Sequence, residues 1–82
     1  MKVRVFHQAR GARGFEDIVI DIEMPFVPAI GTDIKPTPES DYLRVELLFW
    51  DITTPDMVEA HITQAAHLYS LKNMKAAGWR IA

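Results

Sequence analysis

The sequence predicts a single α+β domain over residues 1–82, an antiparallel sheet followed by one C-terminal helix, on three observations. Val3–Gln8 and Glu16–Glu23 alternate apolar and polar residues with the period of a strand. Tyr42–Asp51, YLRVELLFWD, is the longest apolar-rich run. From Gln64 the composition turns to helix formers, AAHLYSLKNMKAA, and Gly78 follows as a stop.

The strand pair comes first. Gly11-Ala12-Arg13-Gly14 supplies the glycines of a four-residue hairpin loop. Opposite positions then sum to 25, so that Val3 meets Ile22, Val5 meets Ile20 and His7 meets Ile18 on an aliphatic face. The other face matches Lys2 with Glu23, Arg4 with Asp21 and Gln8 with Asp17. Aliphatics and opposite charges agree on one register, and a one-residue slip would mix the faces. Phe6 and Val19 remain as an apolar pair among the charges.

Pro25 and Pro28 end the second strand, with Phe26 and Val27 expected to fold back onto the core. Gly31-Thr32-Asp33 is a turn, and Ile34 begins a short strand cut off by Pro36 and Pro38. Residues 35–41, KPTPESD, form an exposed connector. Tyr42–Asp51 then reads as a central strand. Leu43, Val45, Leu47 and Phe49 would face the aliphatics of the hairpin, and Leu48 and Trp50 would turn to the opposite face.

Ile52–Thr63 carries two readings. Thr54 as N-cap, Pro55 at the first helical position and Asp56 in the first turn start one long helix to Ala77. Val58, Ala60 and Ile62 alternating with Glu59, His61 and Thr63 make instead a strand returning beside Tyr42–Asp51, with Thr53–Asp56 as its hairpin turn. From Gln64 onward Ala65, Leu68, Leu71 or Tyr69, and Met74 form an apolar stripe. Trp79 and Ile81 anchor the tail, Trp79 against the last helical turn.

Pro28, Gly31, Asp33 and Ile34, followed by Val45, Leu47, Phe49, Trp50 and Asp51, give a segment that resembles small bacterial proteins with an SH3-like β-barrel. The resemblance implies that the sheet curls into a small barrel, that residues 57–63 are a strand and that the helix starts near Gln64. It implies no activity, since such barrels serve many roles.

Composition narrows the function classes. Eighty-two residues sit near the size at which one core is barely sufficient, which makes a second copy or a partner a natural source of buried area. Without cysteine there is no disulfide, no thiolate metal site and no thiol nucleophile, which suits a cytoplasmic protein. No apolar run is long enough for a membrane span, and no cofactor motif is present. Charge is segregated: residues 1–15 and 60–82 carry no acid, and all eleven acids lie between them. The blocks either neutralise each other as neighbours or leave a basic end.

Three classes of function follow. The first is a non-catalytic binding or assembly module that meets a protein partner or a second copy through Phe6, Val19, Leu48 and Trp50. The alternative is a nucleic-acid-binding module using Arg10, Arg13, Lys72, Lys75 and Arg80, if the hairpin loop and the helix end meet. The third is an enzyme, for which Asp51 beside Trp50 is the acid to inspect, because desolvation by the indole would raise its pKa; an Asp before Ile-Thr-Thr-Pro also simply starts a turn. A metal at His61 and His67 is disfavoured, because six residues place them about 120° apart on a helix. His7 is expected neutral on the aliphatic face.

Overall fold

A computed structural model of the chain describes residues 1–38, 40–62 and 70–82. Its elements are β1 (Lys2–Gly11), β2 (Gly14–Glu23), β3 (Asp33–Ile34), β4 (Leu43–Arg44), β5 (Leu47–Trp50), β6 (Met57–His61), α1 (Leu71–Ala76) and β7 (Arg80–Ile81). β1 and β2 pair in the register that the side chains dictate, Val3 with Ile22, Val5 with Ile20, His7 with Ile18 and Arg4 with Asp21. The ladder runs on to Gly11 opposite Gly14, so the loop is the two-residue Ala12-Arg13 turn rather than four residues. Neither Ala12 nor Arg13 takes positive φ; Gly14, at φ 111°, takes it just after the turn, where the chain enters β2.

Five strands form one sheet in the order β5-β6-β1-β2-β7. β6 lies parallel to β1, from Lys2 opposite Met57 to Phe6 opposite His61. The sheet is therefore mixed where an antiparallel one was expected, and among the described residues it ends at β5 and β7 without closing into a barrel. Of the two readings of residues 52–63, the strand holds over Met57–His61 and a helix starting at Thr54 does not form. Thr63 and the predicted helical start near Gln64, with Ala65, Leu68 and Tyr69, lie outside the described residues.

Tyr42–Asp51 is not a central strand; β1 holds that place. The stretch is divided between two sheets. Its first half pairs with the Gly31–Ile34 segment, through Leu43 opposite Ile34 and through Val45, whose N–H donates to the Thr32 carbonyl at 2.9 Å and whose carbonyl accepts from Gly31 N–H at 2.7 Å. Its second half is β5, antiparallel to β6 at the sheet edge, with Leu47 opposite His61 and Trp50 opposite Val58. At the junction Glu46 N–H also donates to the His61 carbonyl, at 2.9 Å. Glu46 and Leu47 thus stand against one residue, the count of a β-bulge, and the in–out alternation shifts by one. Leu43 and Val45 are fully buried, whereas Leu47 and Phe49 are about half exposed and Leu48 packs against the core.

The core lies on one face of the five-stranded sheet. Val3, Val5 and Ala9 of β1, Ile18 of β2 and Ala60 of β6 meet Ile34 of β3, Leu43 of β4, Val45, Met74 of α1 and Trp79. Two loop residues depart from expectation. Phe26 is 67% exposed instead of folded back, Pro28 being the buried residue of that turn, and Thr37 is buried within a connector whose Lys35, Pro38 and Asp41 are exposed. Helix α1 starts at Ser70, whose hydroxyl accepts from Asn73 N–H, and stops at Gly78, beyond which Trp79 N–H reaches back to the Met74 carbonyl at 3.1 Å.

Gly78 has φ 107°, and a Cβ there would meet only the Ile20 side chain at 3.7 Å, an ordinary contact. Strain therefore comes from the backbone rather than from crowding. Gly78→Ala is expected to cost about 1–2 kcal/mol of unfolding free energy in denaturant titration, with the fold retained.

Candidate interaction surfaces

The face of the sheet opposite the core is built from the polar side of β1. Arg4 is held to Asp21 at 2.8 Å, and Arg80 reaches the same carboxylate at 3.2 Å. The Arg4 hydrogen bond is the main reason that the Asp21 carboxyl lies below its usual range. Beside this pair Phe6 stacks on His61 with ring centroids 4.5 Å apart, and Phe49 meets the same imidazole edge-on at 4.8 Å. Cross-strand pairing explains the cluster, since Phe6 and Leu47 both stand opposite His61. His61 Nε2 lies 3.5 Å from Glu59 Oε1.

The sequence-predicted contact set Phe6, Val19, Leu48 and Trp50 does not share one face. Phe6 and Val19 are paired on the outer face, where Val19 is only 4% exposed and offers little surface. Leu48 and Trp50 stand opposite Ala60 and Val58, on the core side. Exposed apolar surface instead follows the chain along β5 and beyond: Leu47 is 46% exposed, Phe49 50%, Trp50 56% and Ile52 89%. The bulge hid this from sequence reasoning, which carried a strict two-residue period through Glu46.

The main chain of β5 completes that edge. Ile62 N–H donates to the Phe6 carbonyl, so in β6 the groups of Ala60 and Val58 also point to β1, and those of His61 and Glu59 point to β5. Leu47 and Phe49 are then the hydrogen-bonded partners of β6. The N–H and C=O groups of Leu48 and Trp50 point out of the sheet, and among the described residues β5 pairs with β6 alone.

The basic residues divide as well. Arg80 is on β7 and tied to Asp21, away from α1. Arg10 forms a parallel bridge with Ser70, which brings the β1 end to the start of α1. Arg10, Lys72 and Lys75 line the resulting groove with Gly11, Ala12, Ser70 and Leu71, a volume of about 410 Å³. Arg13 lies in the hairpin turn next to it.

Comparison with protein-family models, characterised proteins and solved structures gives no match. The surfaces are therefore read from their own chemistry. Asp51 is fully exposed and its carboxylate accepts from Thr53 N–H at 2.8 Å and Thr53 Oγ1 at 2.7 Å. That hydrogen bonding lowers its pKa, so of the two readings of Asp51 the turn residue holds and the desolvated acid beside Trp50 does not. No group of three or more potential metal ligands occurs among the described residues, and His67 lies outside them.

His7 is 2% exposed on the core face, 6.1 Å from the Trp79 ring by centroids. Burial pushes its pKa below the ordinary 6.5, against a smaller opposing hydrogen bond with the Ile62 backbone. The folded chain thus binds fewer protons than the unfolded chain once pH falls below 6.5, so His7 contributes stability above that value that is lost as pH drops toward its folded pKa. Denaturant titrations between pH 7.5 and 5 should show this loss, with a slope of at most about 1.4 kcal/mol per pH unit from His7. In His7→Gln, which cannot take up the proton, that part of the slope should disappear.

Proposed function

We propose that the protein is a small non-catalytic assembly module in which two copies pair through the free edge of β5. The observation that carries this reading is an edge strand, LLFW, without charge or proline and with its apolar side chains exposed on both sides. Proteins that must stay apart usually blunt such an edge with lysine, proline or a short strand. β7, at the other end of the sheet, is only two residues long. The small core of an 82-residue chain adds a motive, since edge pairing would bury Phe49, Trp50 and Ile52.

A second copy is the favoured occupant because the strand complements itself. With Phe49 on a two-fold axis, Leu48 stands opposite the second copy's Trp50, and the outward groups of both residues find partners. The flanking acids do not collide in that register. Glu46 faces Ile52 and Asp51 faces Leu47, which leaves no like charges opposite each other. A symmetric, isologous contact of this kind is the common route to a closed dimer.

Light scattering on the purified chain at high concentration should return twice its 9.3 kDa mass. Trp50→Lys, at an exposed position, should weaken the dimer by about tenfold or more, roughly 1.4 kcal/mol, while leaving the circular dichroism spectrum unchanged. A wild-type mass of one chain at every concentration would remove the reading.

A further inference from the structure

We infer that the groove between the hairpin end of β1 and α1 is a binding site for the phosphate backbone of single-stranded nucleic acid, with Phe15 beside it as a platform for a base. The inference stands on the distribution of unpaired cations, independently of the β5 edge. Of the nine lysines and arginines, Arg4, Arg44 and Arg80 hold carboxylates and Lys35 lies over the Tyr42 ring. Among the described residues the cations left without such partners are Lys2, at the far end of β1, and Arg10, Arg13, Lys72 and Lys75. The last four gather at one end of the molecule.

Their gathering follows from the chain. Among the described residues the groove is lined only by the two acid-free segments, residues 1–15 and 60–82, which the bridge between Arg10 and Ser70 joins. Lys72 and Lys75, three residues apart on α1, lie on one side of that helix, and Arg10, at the end of β1, lines the same groove. Local focusing of this kind attracts a polyanion even though the net charge is −2. Glu16 borders the site, since a Cβ at Gly11 would lie 3.5 Å from its Cγ.

Phe15 selects among polyanions. It is 58% exposed and stands directly opposite Arg10 across the β1–β2 ladder. Exposed aromatics next to a basic groove are how sequence-tolerant single-strand binders hold unpaired bases, because every base has a face to stack. A duplex keeps its bases inside, and an anionic lipid headgroup has none.

The test is fluorescence anisotropy with a labelled oligo-dT 20-mer, competed by an unlabelled duplex of the same length and by vesicles of anionic phospholipid. Binding should weaken with salt along a log–log slope of about −2 for the three cations that line the groove, Arg10, Lys72 and Lys75, and Lys72→Ala or Lys75→Ala should each make the slope shallower by about 0.7. Phe15→Ala should weaken the single strand several-fold, Glu16→Gln should tighten it and Lys2→Ala should leave it unchanged. All these positions are at the surface except Glu16, which is half-buried, so circular dichroism of each variant checks that the fold is kept. The inference is overturned by an absence of salt-dependent binding at low salt, by equal losses in Lys2→Ala and Lys72→Ala, or by duplex or vesicles competing as well as single strand with Phe15→Ala neutral.

Discussion

The structure depends on β1 having a ladder on both sides. Its antiparallel pairing with β2 is local and fixes Val3, Val5, His7 and Ala9 on one face. Its parallel pairing with β6 is non-local and brings Val58, Ala60 and Ile62 onto that same face. Neither ladder alone would bury enough apolar surface to hold a chain of this size, since a lone hairpin is marginal in water. With both in place the core face is wide enough for the β3–β4 ribbon, Met74 and Trp79 to cover it. His7 at its centre is tolerated because burial keeps the imidazole neutral.

What the sheet offers to the outside is decided one step away, at Glu46 and Leu47. The chain leaves the β3–β4 ribbon after Val45 and joins β6 at Leu47, both Glu46 and Leu47 meeting His61. That extra residue turns Leu47 and Phe49 outward toward His61 and Phe6, and Leu48 inward. Without it Leu47 and Phe49 would lie in the core, as the alternation suggests, and Trp50 on the outer face. With it, a short apolar strand is left at the border of the sheet.

The hairpin was legible in the sequence because two independent patterns, aliphatic and charged, agree on one register. Gly78 and Trp79 were legible for a similar reason, as a helix stop and an apolar anchor are local signals. Residues 57–61 were ambiguous because Thr54-Pro55-Asp56 is a sound helix start, and only the non-local partner β1 decides for a strand. The bulge at Glu46 has no signature in residue type, so the face of every later residue in β5 was misassigned. Arg80 was grouped with the lysines of α1 by sequence proximity, whereas the turn at Gly78 carries it to Asp21 on β2. Arg10, Lys72 and Lys75 line one groove, and Phe15, opposite Arg10 across the ladder, falls between the predicted loop 11–14 and the predicted strand Glu16–Glu23 and was given no role.

Charge and apolar surface are thus placed at different parts of one small sheet. The paired charges Arg4, Asp21 and Arg80 occupy the outer face, where they set register more than they stabilise. Among the described residues, four of the five cations without a carboxylate or ring partner lie at the hairpin end, and the exposed apolar edge is β5. The central claim, that this edge is completed by a second copy, is tested most directly by amide hydrogen exchange of Leu48 and Trp50 as a function of protein concentration. Their N–H groups should be protected at high concentration and exchange rapidly on dilution, while Leu47 and Phe49, bonded to β6, remain protected throughout. Rapid exchange of Leu48 and Trp50 at every concentration would contradict it.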